Sequence, residues 1–271
     1  LKPSEYSPLS AIMLAEVFDE AGMPPGVFNM INGDGEGVGA AIAKHPDVDM
    51  VSFTGSTRAG KAITIDAADT IKRVTLELGG KSPNLLFADA DLKSASKISV
   101  DACFINNGQS CDAASRLLVE KSVYNEVVEL VCAEAASVKV DDPMMEGPHM
   151  GPVVNKNQFD NIQKLIKIGI DDGANLAVGG LGRPTGFRKG YYIKPTVFTD
   201  VDNEMAIAQH EVFGPVLSII PFEDEDHAIN IANDTPYGLA AYIQSYDDNR
   251  IERVSRRLRA GVININGHAG D

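Results

Sequence analysis

Short apolar runs alternate with amphipathic segments along almost the whole chain, and this alternation limits the accessible folds more than any other feature. Residues 8–21 carry Leu9, Ile12, Met13, Val17 and Phe18 at helical spacing, and Gly22 with Pro24 and Pro25 marks the stop. Strand-length apolar runs are expected at 27–31, 50–53, 74–76, 84–87, 117–120, 176–178, 191–198, 216–222, 239–244 and 262–265. Helical patterns fill the intervals at 57–68, 91–105, 122–137, 155–171, 225–233 and 248–259. Repeated strand–helix–strand units imply an α/β fold with a mostly parallel sheet covered by helices. We expect two α/β lobes meeting near Gly79-Gly80, one over 1–79 and one over 80–271.

Composition narrows the function. The chain has 271 residues, is 44% hydrophobic and carries a net charge of −14. That is enough apolar residue to bury a core, and the wrong sign for nucleic acid or an anionic membrane surface. No apolar run approaches the about 20 residues that span a bilayer. Three cysteines at irregular spacing make a poor disulfide framework and suit a reducing compartment, so a cytoplasmic location is expected.

One cysteine stands apart. Asn106-Asn107-Gly108-Gln109-Ser110-Cys111 places a thiol after a polar, glycine-containing turn. Backbone N–H groups there can lower a thiol pKa and stabilise a developing oxyanion. A lone cysteine also reads as a small apolar packing residue. Upstream, Leu76-Glu77-Leu78-Gly79-Gly80-Lys81 sets a carboxylate between two leucines, which makes Glu77 a candidate general base near neutrality.

Two segments read as anion sites. Gly33-Asp34-Gly35-Glu36-Gly37-Val38-Gly39 follows the dinucleotide-binding pattern poorly, and Asp34 and Glu36 would repel a pyrophosphate. Phe53-Thr54-Gly55-Ser56-Thr57-Arg58-Ala59-Gly60 is better placed, with small residues between a strand and a helix whose N–H groups can hold phosphate oxygens. The same segment also reads as an ordinary N-cap through Ser56 or Thr57.

Cys103 and Cys132 fall on apolar helical faces and are expected in the core. His45, His149, His210, His227 and His268 have no ligand spacing, so no metal site is expected. Arg253, Arg256, Arg257 and Arg259 read as a solvated helix face, and Met144-Met145 as loop or packing.

Glu77-Leu78-Gly79-Gly80-Lys81-Ser82-Pro83 and Gly108-Gln109-Ser110-Cys111 closely resemble the two signature segments of the NAD(P)-dependent aldehyde dehydrogenase superfamily. Lys2-Pro3-Ser4-Glu5, Phe53-Thr54-Gly55-Ser56-Thr57, Glu211-Val212-Phe213-Gly214-Pro215-Val216 and Asn233-Asp234-Thr235-Pro236-Tyr237-Gly238-Leu239 also match, in the family's order. The resemblance implies a partial Rossmann-like cofactor lobe followed by an α/β catalytic lobe. It implies oxidation of an aldehyde to a carboxylic acid, with Cys111 as nucleophile and Glu77 as base. It assigns Lys2 and Glu5 to the adenosine ribose and Ser56 to the pyrophosphate, with Gly55, Gly60 and Leu78 beside the cofactor. Glu211 would hold the nicotinamide ribose and Phe213 would pack near the nicotinamide. A carboxylate at Glu5 favours NAD, with NADP left open. The resemblance covers essentially this whole chain but only the central portion of a family member, and implies a homo-oligomer at full length. Asp112 departs from the family, which more often has a neutral residue after the nucleophile. A carboxylate there raises the thiol pKa unless it points away. Two other readings stand beside this one: a cofactor-independent cysteine acyl hydrolase, and a fragment that folds without turnover.

Overall fold

The computed structural model describes residues 1–267, and it divides into two compact units, Leu1–Leu78 and Gly79–Asp271. In the first unit, helix α1 (Leu9–Glu20) is followed by a π-helical turn (Gly35–Gly39) that runs into α2 (Ala40–Lys44). Strand β1 (Met50–Thr54), α3 (Thr57–Ala67) and β2 (Arg73–Glu77) then form one βαβ unit. The strands pair in parallel from Met50 opposite Arg73 to Thr54 opposite Glu77. Little of this unit is buried: Ala43, Gly60 and Ala67 are its buried residues, and α1 has none.

Residues 27–31 do not form the expected strand. They are tied to Leu1 on both sides of Met30: the Leu1 amino group donates to the Asn29 carbonyl, and the Ile31 N–H donates to the Leu1 carbonyl. One paired residue does not make a ladder, and a strand without a ladder leaves its backbone groups to solvent.

The second unit is built on seven strands: β3 (Pro83–Leu86), β4 (Arg116–Glu120), β5 (Asn175–Val178), β6 (Thr196–Thr199), β7 (Val216–Phe222), β8 (Ala240–Gln244) and β9 (Val262–Ile265). They lie in the order β5-β6-β7-β4-β3-β8-β9. Every pairing is parallel except β5 with β6. Helices α4 (Leu92–Phe104), α5 (Tyr124–Ser137), α6 (Lys156–Asp171), α7 (Ala206–Gln209), α8 (Glu225–Asn233) and α9 (Asp248–Ser255) complete it.

The apolar runs are long here because the sheet is covered on both faces. Leu117 and Val119 of β4 join Leu217 and Ile219 of β7 in a cluster with Val100 and Cys103 of α4 and Val127 and Val131 of α5. Leu118, Val216, Ile220 and Phe222 point the other way, into a cluster with Ile162 and Ile166 of α6, Ile229 of α8 and Val254 of α9. Two expected boundaries move. The strand read over 191–198 begins only at Thr196, after Pro195, which has no N–H for a ladder. The helix read over 248–259 stops at Ser255, and its arginines are spent on neighbours: Arg253 on Glu225, Arg256 on Glu252 and Arg257 on Asp226.

Candidate active site

Four candidate residues of the first unit gather at the carboxyl ends of its two strands. Gly55 and Ser56 follow β1; Glu77 ends β2 and Leu78 follows it. Ser56 caps α3, its Oγ accepting from the Ala59 N–H at 3.3 Å, so the N-cap reading describes this hydroxyl. The remaining first-turn N–H groups of α3 keep the donor character that suits an anion. Gly60 lets α3 close onto the strand: a Cβ there would lie 2.7 Å from Leu78 Cδ2.

Lys2 and Glu5 are brought together at 3.7 Å, and the Lys2 Nζ donates to the Gly33 carbonyl at 2.8 Å. Asp34 turns inward on its own loop, its Oδ1 accepting from the Gly37 N–H at 2.8 Å. Glu77 departs from the sequence argument. Strand alternation exposes Glu77 and half-buries Leu76, so the leucines beside it in sequence do not enclose the carboxylate.

In the second unit the candidate residues lie before their strands. The Gly79-Gly80-Lys81 turn precedes β3, Cys111 precedes β4, Glu211 and Phe213 precede β7, and Tyr237 precedes β8. These strands are neighbours and parallel, so the segments meet at the amino end of the sheet. The Gly80 N–H donates to Glu211 Oε1 at 3.1 Å, joining positions 131 residues apart. A side chain on Gly79 would run into the Glu211 carboxylate, and one on Gly80 into the Cys111 carbonyl. The two glycines are therefore required by close approach.

The turn carrying Cys111 is strained and firmly tied. Asn106, Asn107 and Gly108 all have positive φ, at 50°, 59° and 71°. Asparagine tolerates this region and glycine is at ease in it. At Gly108 a Cβ would also overlap the Gly214 carbonyl. Asn107 Nδ2 donates to the Pro152 carbonyl at 3.1 Å, and Gln109 Oε1 accepts from the Val154 N–H at 3.0 Å. Phe213 also has a positive φ, 53°, and Gln158 Nε2 holds it by donating to the carbonyls of Val212 and Phe213. Phe213 is 37% exposed, so its ring is a surface feature of this end of the sheet.

Cys111 is half-buried. Burial pushes its thiol up, and so do the carboxylates of Asp112 and Glu211, while the N–H groups of Cys111 and Asp112 pull it down. Asp112 is held in place: its Oδ1 accepts from Ser110 Oγ at 2.5 Å and its carbonyl from the Tyr242 hydroxyl at 3.0 Å. Glu211 is pushed up by burial, against the pull of the Gly80 N–H and of Lys81. Cys103 is fully buried and pushed up to about 12, an inert packing thiol. Cys132 is only half-buried, at the margin of the core rather than within it. His210 is exposed, its Nδ1 3.1 Å from the Ala206 carbonyl. Among the described residues no group of three or more His, Cys, Asp or Glu could hold a metal ion, and His268 lies outside them. No helix among them is long and apolar enough to cross a membrane.

Sequence reasoning missed Lys81 and Arg116. Lys81 is fully buried with no partner for its Nζ, and burial draws it down to about 7. Arg116 is buried on β4 and donates to the carbonyls of Lys81, Ile231 and Ala232 and to Asn203 Oδ1. It thereby fixes the segment behind Gly80. The signal for both was their attachment to the apolar runs that start β3 and β4.

A sequence model of the aldehyde dehydrogenase family matches residues 1–271. The chain is 51% identical over 271 residues to a 3-succinoylsemialdehyde-pyridine dehydrogenase of a Pseudomonas species, covering all of this chain and 57% of that protein. It thus spans about half the length of the curated relatives it matches. The crystal structure of an aldehyde dehydrogenase from Bartonella henselae superposes with a TM-score of 0.98 at 52% identity, over 100% of this chain and 57% of that one. A mutant aldehyde dehydrogenase C from Pseudomonas syringae, solved with NAD+ and octanal, has a TM-score of 0.98 at 48% identity, over 100% and 56%.

Proposed function

Because the chain belongs to the aldehyde dehydrogenase family, we propose that it oxidises an aldehyde to a carboxylic acid with NAD+, through a covalent intermediate on Cys111. What supports this most is Cys111 itself, half-buried after a left-handed Asn106-Asn107-Gly108 turn and packed against Gly80.

The Cys111 thiolate attacks the carbonyl carbon; a C–S bond forms and the π pair moves to oxygen. The backbone N–H of Cys111 is the proposed donor to that oxyanion. Within the first unit the donor set fits the phosphate and adenosine side of a dinucleotide: small residues at the start of α3, the Gly60–Leu78 approach and the Lys2–Glu5 pair. Ser56 and its turn would hold phosphate, Glu5 and Glu211 ribose hydroxyls, and Phe213 the nicotinamide side. The cofactor, when bound, supplies the acceptor for the aldehyde's hydride. A thioester then remains on Cys111, and Glu77 takes a proton from the water that hydrolyses it. The exposed position of Glu77 suits exchange of that proton with solvent. NAD is favoured over NADP through Glu5. At full length the protein acts in the cytoplasm as a homo-oligomer.

The test is NADH formation from a panel of aldehydes. Cys111→Ala is expected to reduce it by about 10³-fold or more, and Glu77→Gln to slow thioester hydrolysis after a first turnover. NADH formation that persists in Cys111→Ala overturns the mechanism. Cofactor binding without NADH from the unmodified chain favours a chain that folds without turnover.

A further inference from the structure

We infer that the carboxylate of Asp112 makes the approach to Cys111 selective for aldehydes carrying a positive charge over those carrying a carboxylate. The choice of substrate class rests on Cys111 being the nucleophile of the proposed reaction.

Three observations carry this. The first is covalent: Asp112 follows Cys111 directly, and consecutive Cα atoms are about 3.8 Å apart. Its carboxylate does not extend freely into solvent, because Ser110 Oγ donates to it at 2.5 Å and closes a bridge around Cys111. The second is burial. Asp112 and Cys111 are both half-buried, and the Tyr242 hydroxyl anchors the Asp112 carbonyl at 3.0 Å. A charge held this way is screened less than a mobile surface charge. The third is sign. The charged groups that act on the thiol are the carboxylates of Asp112 and Glu211, both negative. Lys81 faces Glu211, but its buried amine is drawn toward the neutral form near pH 7.

A substrate whose aldehyde carbon reaches the sulfur must carry its remaining atoms past this field. One fixed charge at about 7 Å, in a half-wetted site with an effective dielectric constant of about 40, changes affinity by about tenfold. The same charge opposes thiolate formation, so the selectivity comes at a cost in thiol reactivity.

Two thiol reagents of equal shape and opposite charge test this without cofactor or turnover. A methanethiosulfonate bearing a trimethylammonium group is compared with one bearing a sulfonate. In each, the Cys111 thiolate attacks the sulfenyl sulfur, a mixed disulfide forms and methanesulfinate leaves. Peptide mass spectrometry assigns the rate to Cys111 rather than Cys132. The cation-to-anion rate ratio, normalised to that of a small free thiol, is expected to be about fiftyfold, the cation's gain multiplied by the anion's loss. It should fall by about fivefold or more in Asp112→Asn, the Glu211 carboxylate keeping part of it, and persist in Asp112→Glu. An equal ratio in the unmodified chain and in Asp112→Asn overturns the inference. If circular dichroism shows that Asp112→Asn does not fold, salt decides. The ratio of the unmodified chain must fall between about 10 mM and about 1 M salt, and a flat ratio overturns the inference. Matched ω-trimethylammonio and ω-carboxylate aldehydes with NAD+ form the second arm. Preference for the carboxylate substrate overturns the charge inference and leaves the dehydrogenase reading standing. Absence of NADH from both substrates counts against the dehydrogenase reading, and the reagent ratio then judges Asp112 alone.

Discussion

The two units offer opposite ends of their parallel strands. In Leu1–Leu78 the candidate residues Gly55, Ser56, Glu77 and Leu78 lie at or beyond the carboxyl ends of β1 and β2. This is where open α/β sheets ordinarily bind ligands. In the second unit Gly80, Cys111, Glu211 and Tyr237 lie before β3, β4, β7 and β8, at the amino ends. The reason is chemical as much as topological. A phosphate is held by helix N–H groups, which point outward where a strand gives way to a helix. The turn before Cys111, the nucleophile of the proposed reaction, has tight backing, which the second unit supplies through its glycines and through Arg116 behind the Lys81 carbonyl. Burial follows the same division, with a small, open βαβ unit on one side and a sheet packed on both faces on the other.

The sharpest way to break this comparison is at glycine. Gly108 and Gly22 both have left-handed φ, 71° and 76°, but a Cβ on Gly108 would meet main-chain atoms whereas one on Gly22 meets nothing within 4 Å. Gly108→Ala is expected to cost more than about 3 kcal/mol in denaturant unfolding, and Gly22→Ala about 1 kcal/mol, the strain term alone. Equal losses would mean that the Cys111 turn is not packed as described.

Next in size is the contrast between leucines. Leu118 is fully buried on β4, and Leu9 on α1 is 74% exposed. Leu118→Ala should lose about 3 kcal/mol and Leu9→Ala less than about 0.5 kcal/mol. A large loss at Leu9 would show that α1 is covered in solution.

Lys81→Met sharpens the picture through pH. The amine titrates near 10.5 in the unfolded chain and near 7 when folded, because burial disfavours its charge. Between those values the unfolded state holds the extra proton, so the stability of the unmodified chain rises with pH across that window. Below about 7 both states are protonated and the full burial penalty applies. Lys81→Met is therefore expected to be more stable by a few kcal/mol at pH 7, with the advantage fading toward pH 10.5. Parallel stability–pH curves for the two proteins would mean that the Lys81 amine finds a partner or water.

Much of the second unit was legible because its strands are buried on both faces and so read as unbroken apolar runs, as at 216–222. The first unit was harder. Residues 27–31 have a strand's composition but only Leu1 to pair with, and pairing is a property of the neighbour rather than of the segment. Glu77 shows the converse. Its leucine neighbours suggested an apolar pocket, yet in an extended chain adjacent residues face opposite ways. The short helix Ala206–Gln209 had no readable period, being barely one turn.

The sequence alone determined the alternation of elements, the glycine turn before Cys111 and the order of the motifs, because these depend on local patterns of side-chain type. Only the tertiary structure decided that Gly80 meets Glu211, that the Lys81 amine is buried without a partner, and that Asp112 is bridged back over Cys111 by Ser110. Those facts turn on distances between segments up to 131 residues apart and on which groups lose their water. Neither is encoded in any one stretch of chain.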